Sequence, residues 1–522
     1  MRKHRITSKK LKRGVIGDIA SADTAPEFKI RPFKMYLERR MKNTFAHNST
    51  SFWMSLILCM VLGLFLSLLL LAIPPQYILG IVGGLVVLSI VAAKPEIGIS
   101  IMVVLISSIV NEDDLPLIHF AFGSFNLTDI LLLFMAFQIF YHWIITGAVA
   151  LKTPLDLPLF LFLLMIILSV YISLFHFKSD FTQVMRTLRT MSYYMLFFIV
   201  TRLVREKSQV VFLLKFLTIV GVVVATAMLA QACIGDAMQL IPGRVETAGT
   251  FQKIDATRII PPGQTLIVVT YLFVVCYSVF IKNEFYLKSL LYYAMIVLVV
   301  ANLLTYNRNT WISIAISLCI LIKLMPTSNR KKIIKLMISS MILILILAIF
   351  KQVVGGKDET SFAVFDRFTS LFTGSKLVES STLQDRFTEN GFALDNISEH
   401  PVLGIGLGTE YRPSLYGKKD EILYFVHNNY LWIVLDTGVT GLVFYMWFFL
   451  GFIIRALNNW RTIKDDYLRS ALLGFMLSGT AMLFQALVDP VFMYWFSIVI
   501  IAIIAGLSEV IININSNELQ SG

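Results

Sequence analysis

The sequence predicts an all-α, polytopic integral membrane protein with about 14 transmembrane helices and two long outer loops. Of its 522 residues, 57% are hydrophobic and 15% are charged, whereas soluble domains carry roughly 45–50% apolar and about 25% charged residues. Many apolar stretches also approach about 20 residues, the length that crosses a bilayer. This composition excludes both a soluble enzyme and a disordered scaffold.

The positive charge is concentrated at the N-terminus. Residues 1–51 hold 13 Lys and Arg against 4 Asp and Glu, within a total of 45 against 33. A basic arm for nucleic acid is one interpretation. However, the tail directly precedes the first apolar stretch, where excess Lys and Arg marks the cytoplasmic side and attracts anionic lipid. We therefore predict an unprocessed cytoplasmic tail, membrane lipids as partners and no nucleic-acid partner.

Fourteen apolar stretches follow the tail, and an even number puts both termini on one side of the membrane. With both termini in the cytoplasm, the basic loops at 202–207, 326–335 and 458–469 are cytoplasmic, and the outer loop at 111–129 has no Lys or Arg, as the positive-inside rule requires. The predicted spans are 52–73, 77–93, 96–110, 129–150, 157–177, 188–204, 209–233, 264–281, 287–305, 310–325, 334–354, 430–457, 469–487 and 491–512.

Two predicted outer loops are long, at 235–263 and 355–427. The second contains a helical-looking piece, LQDRFTENGFALDNISEHP, and a glycine-rich turn, VLGIGLGTEY. Loops of this length inside a compact bundle are usually functional, so we expect the chemistry there. The predicted organisation has four parts: a basic tail at 1–51, membrane helices with the first long loop at 52–263, a core with the second long loop at 264–457, and a helix pair with a short cytoplasmic tail at 458–522.

The strongest candidate element is HNNYLWIVLDTGVTGLVFY, residues 427–445. His427 opens an apolar helix at the outer membrane face with Asn428 beside it, and Gly438 and Gly441 then break the apolar run. Histidine titrates near neutral pH and can act as a general base. The alternative is an interfacial histidine satisfied by a loop carbonyl, and the chemistry alone leaves both open.

The turn TYNRNTW, residues 305–311, places Arg308 on a short connection between two long spans. The outer face is the unfavoured side for a basic residue, and a tight turn holds a cation in a fixed position. We therefore predict a functional arginine. The alternative is an anchoring arginine that snorkels to lipid headgroups.

The loop GRVETAGTFQKIDATRIIPPGQ carries two further arginines, Arg244 and Arg258. Arg258 lies just before Pro261 and Pro262, which would put proline near the first turn of the next helix. A guanidinium at a helix N-terminus can hold a phosphate together with backbone N–H groups. An ordinary loop arginine is the alternative at both positions.

Weaker signals complete the candidate set. Arg186 and Arg189, in VMRTLRTMSYY, lie one helical turn apart and would extend a basic surface. GIGLG, at 404–408, could be a phosphate loop, but no Walker lysine follows. We therefore predict a turn in which two backbone segments pass close to each other. Asp489, in VDPVF, is predicted to be a cap or turn residue. The sequence has no motif with metal-ligand spacing, so we predict neither a metal nor a cofactor.

With these motifs, the chain resembles the O-antigen ligase and polymerase superfamily of bacterial membrane glycan-assembly proteins over about residues 271–450. Each motif is short, and their order around one large outer loop is more specific than any one of them. The motifs are the NRxxW turn at Asn307 to Trp311, an arginine followed by acidic-His-Pro and GxGxG (Arg386, Glu399-His400-Pro401 and Gly404 to Gly408), and the HNxYL helix start followed by G-x-x-G.

The resemblance implies a metal-independent glycosyltransferase at the outer face of the bacterial inner membrane. It would transfer a glycan from a polyprenyl diphosphate carrier to an acceptor hydroxyl, with inversion at the anomeric centre, and other polysaccharide-assembly proteins would be partners. By this resemblance Arg308 and Arg258 bind the diphosphate and His427 is the general base. The supporting candidates are Asn428, Arg386, Arg244, Arg189 and Arg186.

One stretch departs from the family pattern. The chain has PPGQTL where many ligase-like members have an Asn-Pro-Asn-type helix start, which leaves open whether Arg258 or Arg244 pairs with Arg308. We predict a polymerase of O-antigen, capsule or exopolysaccharide. The alternatives are a ligase to lipid A core or protein, a structural member of an export complex, and a flippase for lipid-linked sugars, which should carry charged residues at mid-membrane depth.

Overall fold

The structure is a computed structural model. It describes residues 60, 75–107, 109–110, 118–120, 123–146, 152–235, 238–246, 258–281, 285–354, 381–414 and 422–521. The predicted tail at 1–51, the predicted first span at 52–73 apart from Met60, and residues 355–380 of the second long loop lie outside the described residues. The chain divides into two compact units, Met1–Leu85 and Val86–Gly522, and the candidate site belongs to the second.

The described chain is almost entirely helical. Its α-helices are α1 Pro75–Ala93, α2 Pro95–Ile106, α3 Leu127–Thr146, α4 Asp156–Tyr171, α5 Phe181–Ser192, α6 Leu196–Leu203, α7 Lys207–Ile234, α8 Gln264–Phe280, α9 Phe285–Leu304, α10 Arg308–Leu324, α11 Thr327–Val354, α12 Ser381–Glu399, α13 Asn429–Asn459, α14 Asp466–Gln485 and α15 Trp495–Ser521.

Seven described helices are long and apolar enough to cross a membrane: α3, α4 with its following turn, α7, α9, α13, α14 and α15. Shorter apolar helices occur in α1, in α2 and at α8. The boundaries agree closely with the predicted spans, as in α13, which was expected at 430–457 and extends from Asn429 to Asn459. The chain is therefore a polytopic membrane protein, while the total of fourteen spans stays a prediction.

The predicted sixth span, at 188–204, consists of two helices. Helix α5 begins after Asp180, whose side chain caps it by accepting from the Gln183 amide. A 3₁₀ turn, Tyr193–Met195, then leads into the short apolar helix α6. The structure thus replaces one predicted span with a polar amphipathic helix and a short apolar helix.

Two short antiparallel hairpins are additions to the predicted all-α fold. Strand β1 (Ile118–Phe120) pairs with β2 (Gly123–Phe125), and β3 (Arg244–Glu246) pairs with β4 (Arg258–Ile260). Both lie in predicted outer loops. Strands of three residues are too short for an alternating pattern to reveal them in the sequence.

Helix α15 forms the centre of the core. It is the most deeply buried of the candidate spans, followed by α14, and its apolar residues lie on all sides, as expected for a helix enclosed by others. It packs on α6, α13 and α14, while α14 also packs on α8 and α10, and α13 packs on α4. The C-terminal helices therefore hold the bundle together.

Helix α13 is broken at Gly438, as predicted from the apolar run. Gly438 has φ +71° and ψ 179°, and a Cβ there would collide with the carbonyl oxygen of Val402. The amide of Val439 donates to the Pro401 carbonyl at 2.9 Å. Gly441 keeps a helical backbone and packs against Thr437 of the same helix. Gly438 is therefore the position at which α13 is interrupted.

The glycine-rich turn at 404–408 lies against this break. The Ile405 amide donates to the Leu435 carbonyl at 2.8 Å. Gly406 has φ +95°, and a Cβ there would meet the backbone of Ser173, in the π-helical turn that follows α4. The predicted close passage of backbones at GIGLG is confirmed.

The predicted cytoplasmic loops meet at one end of the helix bundle, which we call the basic end. Lys207 Nζ lies 2.9 Å from an Asp465 carboxylate oxygen and 4.0 Å from one of Glu518. Arg461 donates to the Leu324 carbonyl at 3.3 Å. These contacts join the basic loops at 202–207 and 458–469 to the end of α15, and the second of these loops to the end of α10.

Candidate active site

Several connections meet at the end of the bundle opposite the basic end. They are the turn before α10, the loop between α14 and α15 at 486–494, and the segment that leads into α13. Helices α10, α13 and α15 run from this end to the basic end, and α14 runs back from the basic end to the site. The predicted site residues are therefore separated from the basic loops by the length of these helices.

The loop at 486–494 holds the arginine turn and the start of α13 together. Asp489 Oδ2 accepts hydrogen bonds from the side chains of Asn307 and Asn309, both at 2.9 Å. The amide of Asn429 donates to the Ala486 carbonyl at 2.9 Å. Asp489, which was predicted to be a cap or turn residue, thus fastens the NRxxW turn.

His427 is held by a buried carboxylate. Its Nδ1 atom lies 2.7 Å from Oε2 of Glu389 in α12, and Glu389 is only 5% exposed. Because a carboxylate accepts, Nδ1 carries the proton and donates. The His427 side chain is 34% exposed, and Nε2 has no hydrogen-bond partner in the described part of the chain. This arrangement leaves one ring nitrogen open to accept a proton.

The other oxygen of Glu389 faces a second buried charge. Oε1 lies 3.5 Å from Nη2 of Arg412, which is itself 8% exposed and donates to the Ile422 carbonyl at 3.3 Å. A buried carboxylate is tolerated when it is paired in this way. Glu389 therefore bridges an arginine and the histidine.

Two aromatic residues complete the setting of His427. The ring of Phe425 meets the His427 ring edge-on at 4.7 Å between centroids. The Tyr411 hydroxyl donates to the Phe425 carbonyl at 3.0 Å. Burial, followed by the nearby Glu389 carboxylate, raises the pKa of Tyr411, so this phenol remains a donor that keeps the Phe425 backbone in position.

Asn428 caps the helix that follows the histidine. Its side-chain oxygen accepts from the amides of Tyr430 at 3.0 Å and Leu431 at 3.3 Å. Asparagine is a favoured N-cap residue because it satisfies these otherwise unpaired amides. The supporting role that the sequence suggested for Asn428 is therefore accounted for by helix capping, which also orients His427.

Arg308 begins α10 immediately after a constrained turn. Tyr306 has φ +48°, a conformation that costs energy in a residue with a side chain and often marks functional sites. Asn307 caps the helix by accepting from the Asn309 amide at 3.1 Å. The Nε atom of Arg308 is buried and has no hydrogen-bond partner among the described residues, which is an unusual state for a guanidinium.

Arg258 lies against the same turn. It starts strand β4 and its Nε donates to the Thr305 carbonyl at 3.1 Å, three residues before Arg308. The structure thus brings Arg258 to the turn that carries Arg308. Helix α8 begins at Gln264 after the N-cap Gly263, and the Gln264 amide donates to the Pro261 carbonyl at 3.1 Å, so Pro261 and Pro262 lie directly before the first turn, as expected.

Two further predicted arginines, Arg386 and Arg244, lie on α12 and β3. Arg386 lies on α12 one turn before Glu389, and its Nε is buried with no partner in the described chain. Residues three apart share a helix face, so Arg386 and Glu389 lie on one side of α12. Arg244 begins β3, and its side chain lies outside the described parts.

Arg189 is engaged in an ion pair with Asp129 of α3. Its Nε lies 2.8 Å from a carboxylate oxygen of Asp129, which also accepts from the Tyr193 hydroxyl at 2.6 Å. Arg186, one turn earlier, is exposed. The predicted basic surface is therefore reduced to Arg186, because Asp129 compensates the charge of Arg189.

Sequence reasoning missed Glu389 and Arg412. Glu389 could have been found, because it falls in the helical-looking piece one turn after Arg386. Arg412 carries no such signal, since only the folded loop brings it to Glu389. Among the described residues, no group of three His, Cys, Asp or Glu side chains is placed to hold a metal ion.

The part of the chain that holds most of these residues is similar to known proteins. A family model described as O-antigen ligase matches residues 293–446, which include Arg308, Glu389 and His427 but not Arg258. The O-antigen polymerase of Salmonella muenchen is 36% identical over 84 residues, which are 15% of this chain and 21% of that protein. The chain thus covers about a fifth of that relative's length. The chain is thus similar to O-antigen ligases over residues 293–446, and its apolar helices are those of a polytopic membrane protein.

Proposed function

We propose that this protein is a surface-polysaccharide polymerase. It transfers a glycan from a polyprenyl diphosphate carrier to a hydroxyl of an acceptor glycan at the outer face of the inner membrane. The observation that carries the proposal is the 2.7 Å contact between Glu389 and His427, which leaves Nε2 open. The positive-inside rule assigns the basic end to the cytoplasm. Since the candidate site lies at the opposite end of the helices, it faces outward in this proposal.

His427 acts as the general base. As the acceptor oxygen attacks the anomeric carbon, its proton moves to Nε2, and the ring becomes an imidazolium with Nδ1–H still bound to Glu389. A carboxylate in this position stabilises the imidazolium and keeps the ring oriented. Arg412 compensates the negative charge of Glu389 when the ring is neutral.

Arg308 and Arg258 receive the leaving group. The bond between the anomeric carbon and the diphosphate oxygen breaks as the glycosidic bond forms on the opposite side, which inverts the anomeric centre. Guanidinium groups hold phosphate oxygens in bidentate geometry and stabilise developing negative charge. The buried Nε of Arg308, which has no hydrogen-bond partner among the described residues, supports this role, because a buried donor without a partner is costly unless a ligand meets it. In this proposal neither a metal nor a nucleotide takes part.

Ligation is the second candidate, and the description of the matched family model as O-antigen ligase favours it. The chemistry at the anomeric carbon is the same. Only the acceptor differs, being lipid A core or a protein hydroxyl in place of another lipid-linked glycan.

Purified protein in lipid nanodiscs, supplied with a defined polyprenyl diphosphate-linked glycan, tests the proposal. A polymerase produces a ladder of longer lipid-linked chains and releases polyprenyl diphosphate, whereas a ligase needs an added acceptor and makes a single transfer. The His427→Gln variant should make neither product. Folded wild-type protein that forms no glycosidic bond, yet moves the intact donor across a liposome membrane, would contradict the proposal in favour of a flippase.

A further inference from the structure

A cavity of about 570 Å³ lies at the basic end, at the opposite end of the helices from His427 and Arg308. It is lined by four cationic side chains, Lys323, Arg330, Arg461 and Arg469, and by the rings of Phe280 and Trp460. Its volume is typical of sites for small ligands. The cavity lies where α8, α10 and α13 end and α14 begins, and α13 and α14 are candidate membrane spans.

The positive charge of this cavity is largely uncompensated in the described chain. Arg469 pairs with Asp466, at 2.9 Å. Lys323, Arg330 and Arg461 have no carboxylate partner among the described residues. Three cations in one cavity repel each other, so an anion would be stabilised between them.

The guanidinium groups are already positioned. Arg330 donates through Nε to the Met325 carbonyl at 2.7 Å and through Nη2 to the Lys323 carbonyl at 3.2 Å, and Arg461 donates through Nη2 to the Leu324 carbonyl at 3.3 Å. These bonds cap the end of α10, which is the ordinary structural explanation. However, a guanidinium has five N–H donors, so capping leaves several free for a ligand.

Aromatic rings form an apolar wall beneath two of the cations. The Arg461 guanidinium lies 5.1 Å from the centroid of the Trp460 ring, and that of Arg469 lies 5.7 Å from the centroid of Phe280. Cation–π contacts of this kind hold an arginine in place while leaving its edge available. A ligand here would meet donors on one side and apolar surface on the other.

We propose that this cavity binds the headgroup of an anionic phospholipid. Its phosphate contacts Arg330 and Arg461, and its glycerol backbone lies along Trp460 and Phe280 with the acyl chains in the bilayer. Arginine matches the geometry of phosphate oxygens, and basic pockets between transmembrane helices are typical headgroup sites. A free phosphate ion would make no use of the aromatic wall, which is why the lipid is the assigned occupant. This site is independent of the proposed enzymatic function.

Titration of the full chain in detergent with phosphatidylglycerol, monitored by native mass spectrometry, tests this site. The Arg330→Gln/Arg461→Gln variant should bind phosphatidylglycerol about tenfold more weakly. The matched control is Lys331→Gln/Lys332→Gln, which removes the same charge from exposed side chains beside the cavity and should bind like the wild type. Phosphatidylcholine and inorganic phosphate should both bind poorly to all three proteins.

Equal binding of phosphatidylglycerol by the cavity variant and the control would overturn the proposal. So would inorganic phosphate that displaces the lipid at equal concentration, since the site would then be a simple anion site. If the glutamine variant does not remain monodisperse, Arg330→Lys/Arg461→Lys keeps the charge but loses the bidentate geometry. Wild-type binding by that folded variant would equally contradict the assignment.

Discussion

Oε2 of Glu389 lies 2.7 Å from Nδ1 of His427. This contact joins α12 to the segment that directly precedes α13. The sequence left two explanations for His427, a general base or an interfacial ring satisfied by a loop carbonyl. A buried carboxylate as the partner favours the first, because it both orients the ring and stabilises its protonated form.

Replacement of the base should remove activity without affecting folding. His427→Gln cannot accept the acceptor's proton, so the initial rate of chain extension should fall by about 10²–10⁴-fold. His142→Gln is the control, since His142 lies near Arg205 at the basic end and should leave the rate unchanged. A His427→Gln variant with substantial activity would remove His427 from the chemistry.

Loss of the carboxylate should affect turnover more than binding. Glu389→Gln keeps the side-chain shape but removes the charge that stabilises the imidazolium and pairs with Arg412. We expect kcat to fall by about 10²-fold or more while KM changes little. Asp395→Asn, an exposed change on the same helix, is the matched control. If kcat were retained in Glu389→Gln, the carboxylate would serve the fold alone.

Arg308 should require a guanidinium and not merely a positive charge. Arg308→Lys keeps the charge but loses the bidentate geometry toward phosphate, so kcat/KM should fall by about 10-fold or more. Arg205→Lys makes the same change at an exposed position of the basic end and should be neutral. Wild-type rates in Arg308→Lys would identify Arg308 as a lipid anchor.

Two arginines of one hairpin, Arg258 and Arg244, are candidates to bind the diphosphate together with Arg308, and inhibition by the leaving group distinguishes them. Arg258 contacts the Thr305 carbonyl beside Arg308, so Arg258→Ala should weaken inhibition by free polyprenyl diphosphate by about tenfold. Arg244→Ala should weaken it less. The opposite ranking would assign the diphosphate contact to Arg244.

The break in α13 should tolerate only glycine. Gly438→Ala forces a side chain into φ +71° and against the Val402 carbonyl, so it should lower stability by at least about 2 kcal/mol. Gly391→Ala, in the helix α12, has no atom within 4 Å of the added methyl and should be neutral. Thermal unfolding in detergent compares the two, and equal melting temperatures would show that the break can relax.

Much of the architecture could be predicted from local sequence because the bilayer is a uniform apolar solvent. Each span needs about 20 apolar residues, so α13 and its break at Gly438 can be recognised from the chain alone. The same holds for Arg308 and His427, which stand out as polar residues at the ends of apolar spans. Within the described ranges, the three-residue strands and the division of 188–204 were not predicted, since they lack a long periodic pattern.

The sequence by itself therefore determined a polytopic membrane protein and most helix boundaries of the described chain, and it singled out Arg308 and His427 as candidate site residues. The tertiary structure alone decided which side chains meet: Glu389 with His427, Arg258 with the turn of Arg308, and Arg189 with Asp129. The physical reason is the range of the interactions. Span formation depends on each segment's own contact with lipid, whereas these pairs depend on how distant helices and loops pack against each other.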